Sequence, residues 1–434
     1  MKALKKLLAL VILVGLISAG VFYFRDTEAP TLSLVPGSGP ISHNSKLLLS
    51  LNDSGTGLKN VQVTVVQKEN RLQLLNRDFT EPTRVADLEL DLAPLKLEDG
   101  EIHLEIKAGD KAIYHLGDGN SAEQTFTLTY DTRPPVISIL SKAHNFTKGG
   151  SGLVTFSLNE DVAEAGVRFG DLFFPAYQQP SGTYACLFAY PYFVKESDFV
   201  PRVVARDLAG NERQAGIYYR ANNKTFRQRK INISKSFLDQ KVPEFETLVP
   251  DAKQPLDVFL YVNREVRKQN RAKMAELGQE TSPEPLWEGD FIRQPKAATL
   301  ALFADQRTYY YEGKKIDNTV HLGYDLASIA QAEIPAGNSG EVIWAEYLGI
   351  YGLCVVLDHG LGLQTLYAHM SQLDVKPGDM VSRGQIIGRS GATGMAGGDH
   401  LHFGVFVSGV PVQPVEWWDD NWLENNIDSK LRVN

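Results

Sequence analysis

The sequence predicts a mainly β protein that begins with one apolar helix. Three observations support this prediction: an uncharged N-terminal run, a repeat of short alternating apolar stretches across residues 29–232, and histidines at strand-like spacing in the C-terminal third. At 434 residues, the chain is long enough for about three domains. Hydrophobic residues make up 43% and charged residues 22% of the chain, which is typical of folded globular domains.

The charge and hydropathy pattern of residues 1–28 predicts a signal anchor, that is, an uncleaved transmembrane helix. A cluster of lysines precedes an uncharged run over residues 7–24, which is close to the shortest helix that spans a bilayer. The basic flank lies on the N-terminal side, so the positive-inside rule places the rest of the chain on the outer face of the cytoplasmic membrane. A cleaved signal peptide is the alternative, because Ser18-Ala19-Gly20 offers a small-residue cleavage site. Both alternatives export the protein.

Residues 29–132 and 133–232 have the pattern of two copies of one β module. Ala29-Pro30-Thr31-Leu32-Ser33-Leu34 resembles Pro134-Pro135-Val136-Ile137-Ser138-Ile139. Period-2 alternation broken by Asp, Asn, Gly and Pro predicts antiparallel β-sandwiches. With the turn Asp207-Leu208-Ala209-Gly210-Asn211 near its end, the module resembles the immunoglobulin-like domains of bacterial surface proteins. The modules carry no catalytic cluster, so we expect spacers or modules that bind protein partners.

The spacing of apolar residues within 233–290 predicts a helical linker. Apolar residues follow Asp251 at roughly helical spacing as far as Gly278, a plausible C-cap, and prolines follow. The simplest interpretation is a connector to the last domain. An interaction helix, or a segment that lies over the C-terminal site and supplies Glu265, Glu276 or Glu280 to it, is the alternative.

Charge and cysteine content narrow the function. The chain has 44 Lys and Arg against 52 Asp and Glu, a net charge of −8. This balance argues against a nucleic-acid partner, because binding a phosphate backbone needs a basic surface. Cys186 and Cys354 lie far apart, which excludes a disulfide scaffold and a cysteine-based zinc finger. Any metal site must therefore use His, Asp or Glu.

Four histidines of the C-terminal third fall into three short motifs: His321-Leu322-Gly323-Tyr324-Asp325, Leu366-Tyr367-Ala368-His369-Met370 and His400-Leu401-His402-Phe403. In a strand, residues two or four apart point to the same face, so the members of the first and third motifs can converge. Two imidazole nitrogens and one carboxylate suit Zn²⁺ with a fourth position open for water, as in catalytic sites. Such a metal lowers the pKa of the water, and a spare histidine can transfer a proton.

These motifs stand in a longer ordered series that resembles the M23 peptidase family, the lysostaphin or LytM-type metallopeptidases. The resemblance covers roughly residues 291–425 and rests on these segments: residues 303–309, 321–327, 356–362, 366–371, 375–381, 384–388, 390–394 and 400–403. One departure is Gly404, which stands where the family usually has Glu. We therefore expect the hydrogen bonding around His402 to differ. His359, in a hairpin turn outside the site motifs, is expected to be structural.

The resemblance implies that His321, Asp325 and His402 bind one Zn²⁺ per chain and that His369 and His400 are the catalytic pair. It also implies an antiparallel β-sheet peptidase domain over residues 291–425, with an open groove over the metal and a tail at 426–434. Family members cleave peptide bonds in peptidoglycan.

We therefore expect an exported zinc metalloendopeptidase that acts on peptidoglycan peptides. An acidic, membrane-tethered chain with sandwich spacers suits a Gram-negative envelope, so D,D-endopeptidase action on stem-peptide cross-links is expected. Two alternatives are a catalytically silent relative that activates another cell-wall hydrolase and a peptidase of secreted proteins. The presence of all five site residues favours the active enzyme over the silent activator.

Overall fold

A computed structural model describes the backbone of residues 2–432 and the side chains of residues 4–432. The chain divides into two compact units. The first contains the chain up to Pro135 together with Glu160–Ala163 and Arg206–Arg213, and the second contains the rest. The fold is mainly β, as predicted, with one long N-terminal helix and a large C-terminal sheet.

The predicted N-terminal helix is present and extends over Lys2–Tyr23. Its segment Leu4–Tyr23 has a mean hydropathy of 2.2 and none of it is buried, so it is long and apolar enough to cross a membrane. A signal sequence satisfies the same criteria. The helix therefore suggests a membrane anchor or a signal sequence.

The first unit also contains two sheets that share one core. The three-stranded sheet consists, in spatial order, of Thr31–Val35, Leu47–Asn52 and Val85–Leu90. The five-stranded sheet consists of Gly39–Ile41, Ser121–Tyr130, Gly100–Asp110, Leu58–Gln67 and Asn70–Asp78. Alternate residues of both sheets, such as Leu49 and Val63, point into the common core, which is the arrangement that the period-2 pattern predicts. A short helix at His115–Gly117 lies in a connection.

The second predicted module folds into short sheets. One sheet consists of Tyr177–Gln178, Tyr184–Ala189, Ser151–Leu158 and Ile137–Ile139. Another consists of Leu172–Pro175, Val162–Phe169, Arg202–Asp207 and Glu212–Gly216. His144–Thr147 pairs in parallel with Tyr219–Asn222, and a short helix occupies Glu196–Asp198. The immunoglobulin-like character of both modules stays a prediction, as do the domain boundaries.

The predicted linker is helical, and its helices belong to the core of the C-terminal fold. Its elements are Lys235–Lys241, Val242–Glu244, Glu246–Leu248, Pro255–Tyr261, a π-helical turn at Val262–Val266, and Arg267–Leu277. Buried side chains such as Phe259 and Met274 share one apolar cluster with Leu366 and Phe406 of the large sheet. Gly278 ends the last helix, and a Cβ there would lie 2.4 Å from the backbone nitrogen of Gly409.

The C-terminal domain is built on a ten-stranded sheet. Its main path consists of Ala298–Ala301, Tyr324–Ala327, Leu401–Val407, Leu363–Leu373, Leu353–Asp358, Gly340–Tyr347 and Met380–Val381. Glu333–Pro335, Ile386–Ser390 and Val410–Val412 pair alongside. A separate sheet consists of Gln228–Asn232, Gln306–Tyr311 and Lys314–Val320. The remaining helices are Gly349–Tyr351, Pro414–Glu416, Asp420–Leu423, a π turn at Glu424–Asp428, and Ser429–Leu431.

One buried carboxylate connects the second module to the C-terminal domain within the second unit. Glu416 accepts hydrogen bonds from the backbone N–H of Ser151 at 2.9 Å and from Nε2 of Gln413 at 2.7 Å. Lys224 Nζ donates to Oε1 of the same glutamine at 2.5 Å. Burial raises the pKa of Glu416 to about 7, against the lowering effect of these partners.

Candidate metal centre

Three of the predicted site residues meet at one point. His321 directly follows the strand Lys314–Val320, while Asp325 and His402 are register partners in adjacent antiparallel strands. Oδ1 of Asp325 lies 2.9 Å from Nε2 of His321 and 2.8 Å from Nδ1 of His402. The two imidazole nitrogens are 3.0 Å apart. The structure therefore brings together the two histidines and the carboxylate that the resemblance implies as metal ligands.

Backbone and side-chain partners orient this cluster. Nδ1 of His321 lies 2.9 Å from the carbonyl oxygen of Leu302, which can only accept, so Nδ1 carries the proton and the Nε2 lone pair faces Asp325. An Arg307 guanidinium N–H donates to Oδ2 of Asp325 at 3.0 Å. The carboxylate is therefore held by one oxygen and turns the other toward the two histidines.

The His402 ring depends on a glycine of the first motif. A Cβ added at Gly323 would lie 2.7 Å from Nε2 of His402 and 2.5 Å from the carbonyl oxygen of Phe403. Only glycine leaves room for the ring at this position. Nε2 of His402 is buried and has no hydrogen-bond partner among the described residues, so the ring is held chiefly by packing and by its Nδ1 side.

Burial and mutual contact set the protonation of the cluster. Burial lowers the pKa of His402 to about 4, so this imidazole is neutral near pH 7, which is the form that binds metals. Burial alone would raise the pKa of Asp325, but His321, His400 and His402 outweigh it and hold that pKa well below its usual range. An ionised carboxylate thus faces two imidazoles.

This donor set fits a divalent metal ion. One ligand atom from each of the three residues lies within 4.8 Å of the others, and all three residues are largely buried. Lone pairs that point toward one another at such distances repel unless a cation or a proton lies between them. Imidazole nitrogen and carboxylate oxygen are common ligands of zinc and related metals.

The two remaining predicted site residues lie beside the cluster. The ring centroids of His369 and His400 are 4.9 Å apart, and Nε2 of His400 is 3.5 Å from Oδ1 of Asp325. Nδ1 of His369 donates to the carbonyl oxygen of Thr393 at 2.9 Å, and Nδ1 of His400 donates to that of Gly398 at 2.8 Å. In the neutral form of each ring the lone pair therefore stands on Nε2.

His369 occupies a strained position. Its φ of 63° lies in the left-handed region, which non-glycine residues adopt at a cost and which occurs often at functional sites. The preceding residue, Ala368, is still paired with His402 in the regular ladder, and the register shifts after Met370. The kink redirects the His369 ring toward His400. Burial, followed by the neighbouring histidines, lowers the pKa of His369 well below its usual value.

All five residues line one cavity of about 500 Å³. Its other walls include Phe237, Gln240 and Arg267 from the helical segment, and Arg307 with Tyr309 from the small sheet. Sequence reasoning missed these residues as parts of the site. The only local signal was the alternation that puts Arg307 and Tyr309 on one face of their strand.

Three predictions outside the five site residues concern His359, Gly404 and the glutamates of the helical linker. His359 is buried away from the cluster, with Nδ1 2.7 Å from the carbonyl oxygen of Ser339 and Nε2 2.7 Å from Oγ1 of Thr365, so it is structural, as predicted. At Gly404 a Cβ would lie 2.9 Å from a ring carbon of Phe406, so a larger residue there would require this ring to move. The predicted alternative of a linker segment over the site is supported, because Phe237, Gln240 and Arg267 line the cavity, but the linker glutamates do not reach it. Glu265, Glu276 and Glu280 are exposed and lie outside the cavity lining.

The chain matches known proteins over its C-terminal part. Residues 319–414 match Peptidase family M23. Over 96 residues, or 22% of each chain, the sequence is 36% identical to the "DD-carboxypeptidase/endopeptidase Mpg" of Neisseria meningitidis. It is 38% identical to the "Peptidoglycan DD-endopeptidase ShyA" of Vibrio cholerae, again over 96 residues and 22% of each chain. The chain thus spans about a fifth of the length of these relatives.

Solved structures of peptidases also match this chain. A putative peptidase M23 from Pseudomonas aeruginosa is 20% identical, with a TM-score of 0.38, and the match covers 64% of this chain and 95% of that one. A zinc containing peptidase from Vibrio cholerae is 14% identical, with a TM-score of 0.27, covering 93% and 91%. The match to the family and to its curated members confirms the predicted resemblance: the C-terminal part of this chain is a domain of peptidase family M23.

Proposed function

We propose that this protein is an exported zinc metalloendopeptidase that hydrolyses peptide bonds in peptidoglycan. The observation that carries the proposal is the approach of His321 Nε2, Asp325 Oδ1 and His402 Nδ1 to within 3.0 Å of one another. The matched family and the curated relatives, which include a peptidoglycan DD-endopeptidase, support a cell-wall peptidase.

In this proposal, His321, Asp325 and His402 hold one Zn²⁺ per chain. The bound metal would supply Lewis-acid chemistry and a water of lowered pKa. Arg307 fixes the Asp325 carboxylate, and Gly323 leaves space for the His402 ring. The protein thereby orients its ligands before the metal arrives, which favours an open site of defined geometry.

His369 and His400 are the proposed catalytic pair. Because backbone carbonyls hold the Nδ1–H group of each ring, Nε2 is the nitrogen that can exchange a proton with a reacting group. Burial lowers the pKa of His369 and keeps its imidazole neutral near pH 7, whereas contact with Asp325 raises the pKa of His400 against the effect of burial. The pair thus combines a base with a residue that favours the protonated, anion-stabilising form.

The proposed substrate is the cross-linked stem peptide, cleaved as a D,D-endopeptidase would cleave it. Two curated relatives, a DD-carboxypeptidase/endopeptidase and a DD-endopeptidase, favour this bond. The net charge of −8 and the apolar helix suit a tethered enzyme of a Gram-negative envelope.

We place the protein in the cell envelope, anchored in the inner membrane by the helix within residues 1–28, with its bulk periplasmic or extracellular. Secretion after signal cleavage is the alternative. Residues 29–132 and 133–232 would be immunoglobulin-like modules that space the enzyme from the membrane or bind protein partners. The peptidase domain is proposed to occupy residues 291–425, with the helical segment 233–290 packed on it.

The test is a digestion of purified sacculi by the full-length, detergent-solubilised, zinc-loaded protein, followed by mass spectrometry of the muropeptides. We expect cross-linked dimers to fall and monomers to rise, with no change when the His402→Ala variant is used. A silent activator would leave dimers intact until a second hydrolase is added. A peptidase of secreted proteins would digest denatured protein and leave sacculi untouched.

A further inference from the structure

The cavity at the metal centre is lined by two arginines from different elements. Arg267 is the first residue of the helix Arg267–Leu277, and Arg307 lies on the strand Gln306–Tyr311. Both share the cavity with the five site residues. In a chain with an excess of acidic residues, two guanidinium groups at the active-site cavity need a physical explanation.

The positive charges of Arg267 and Arg307 are only partly balanced by carboxylates. Arg307 pairs with Asp325 through one terminal nitrogen, but its Nε is buried without a hydrogen-bond partner among the described residues. Arg267 donates to the backbone carbonyl of Asn263 at 3.2 Å and to the Asn263 side-chain oxygen at 3.0 and 3.3 Å, all neutral acceptors. Arg271, one turn later, donates to the carbonyl of Val320 at 3.2 Å.

Within residues 4–432, neither Arg267 nor Arg271 has a carboxylate at ion-pair distance. Both residues are partly exposed, and a charge that is partly withdrawn from water without a counter-charge is unfavourable, because its desolvation is not repaid by an ion pair. In line with this, burial lowers the pKa of Arg267, and Arg271 and Arg307 add to the lowering. Such an unbalanced site is typical of a position where a ligand supplies the missing charge.

We propose that Arg267, supported by Arg307, forms a subsite for a free carboxylate of the substrate, located on the amino acid whose nitrogen is released. This inference rests on the proposed function. When a cross-link is made through the amine on the D-centre of a diamino acid, the carbon attached to the scissile nitrogen also carries a carboxylate that is not in a peptide bond. An arginine recognises such a group by paired, charge-assisted hydrogen bonds. Arg267 is thus a specificity-determining residue of the cavity.

The test uses two synthetic cross-linked peptides that differ only at this carboxylate, which is free in one and a carboxamide in the other. Full-length, zinc-loaded protein should cleave the free acid with a kcat/KM about 10- to 100-fold higher, the range expected for a charge-assisted hydrogen bond. In the Arg267→Gln variant the ratio should fall toward 1. Arg267→Lys should retain part of the preference.

A matched control is Lys268→Gln, which removes the same charge from an exposed neighbour on the same helix and should keep the wild-type ratio. Circular dichroism and zinc content should show that Arg267→Gln is folded and loaded. The same two peptides, titrated calorimetrically into His369→Ala protein, give a readout that needs no turnover. The free acid should bind about 10-fold more tightly or better.

These experiments distinguish a failure of the carboxylate subsite from a failure of the D,D-endopeptidase function. Cleavage of both peptides at equal kcat/KM by the wild type, or a full preference retained in Arg267→Gln, would overturn the carboxylate subsite and leave the peptidase intact. If zinc-loaded protein cleaves neither peptide, the proposed D,D-endopeptidase function fails. The calorimetric comparison then still decides the subsite, since equal affinities would overturn it and a tighter free acid would support it.

Discussion

Replacing Gly323 by alanine should disturb the metal centre without touching a ligand. The added Cβ would lie 2.5 Å from the carbonyl oxygen of Phe403 and 2.7 Å from Nε2 of His402, whereas ordinary contacts begin near 3.4 Å. The neighbouring strand must therefore retreat by roughly 0.7–0.9 Å, given that packed interiors leave little free space. The spacing of the three ligand atoms, 2.8–3.0 Å, does not tolerate a shift of this size.

Gly323→Ala should have two measurable effects, a loss of folding stability and a loss of zinc affinity. Overpacking a tight site typically costs about 1–3 kcal/mol of the free energy of unfolding. A displaced third ligand should weaken zinc binding by at least about 10-fold, since each factor of ten corresponds to about 1.4 kcal/mol. Competition with a chromophoric chelator measures the zinc Kd, and thermal unfolding of the metal-free protein measures the packing cost separately.

Gly216→Ala is the matched control, because a Cβ at Gly216 meets nothing within 4 Å and its φ is not positive. This variant should bind zinc as the wild type does. If Gly323→Ala keeps a zinc Kd within about twofold of the wild type, below the tenfold that 1.4 kcal/mol represents, the argument that this glycine positions His402 is wrong.

Three further predictions concern other residues. His369→Ala should keep its zinc, measured by metal analysis, yet lose about 10²- to 10⁴-fold in kcat on sacculi; near-normal turnover would show that the residue only packs. The pKa of Glu416, about 7 in the folded protein, lies above its ordinary 4.5, so the folded state holds the proton more tightly. Its stabilising contribution is complete below pH 4.5 and is lost as the pH rises through 7, by about 3 kcal/mol at most. Urea titrations should show this loss in the wild type and not in Glu416→Gln; parallel pH profiles of the two proteins would contradict it. Cys186 and Cys354 are both 0% exposed, and burial raises their thiol pKa, so neither should react with a disulfide reagent before unfolding; rapid labelling of the native protein would argue against these buried positions.

The clustering of the three metal-binding candidates was predictable only in part. One extended strand was expected to carry both His321 and Asp325, but His321 lies between the strands Lys314–Val320 and Tyr324–Ala327. His321 and Asp325 are four residues apart, and the motif around His402 needs only the period of two. What the sequence did not specify was the register that places Asp325 opposite His402. Antiparallel partners come from distant segments, and no local rule fixes their pairing.

The walls of the cavity were not predictable for a related reason. The strand Gln228–Asn232 pairs in parallel with Gln306–Tyr311, and this pairing directs the following helix over the site. The apolar spacing of the helical segment was visible in the sequence. Its partner was not, because amphipathicity identifies a buried face without naming the surface that covers it. Arg267 therefore joined the cavity only through tertiary packing.

The proposed zinc site consists of His321, Asp325 and His402, which together would bind one zinc ion. The most direct measurement is a crystal structure of the zinc-loaded protein with anomalous data collected on both sides of the zinc absorption edge. We predict one anomalous peak between Nε2 of His321, Oδ1 of Asp325 and Nδ1 of His402, at about 2.0–2.2 Å from each. A peak bound to His369 and His400 alone, or full zinc loading without a peak at this cluster, would contradict the account.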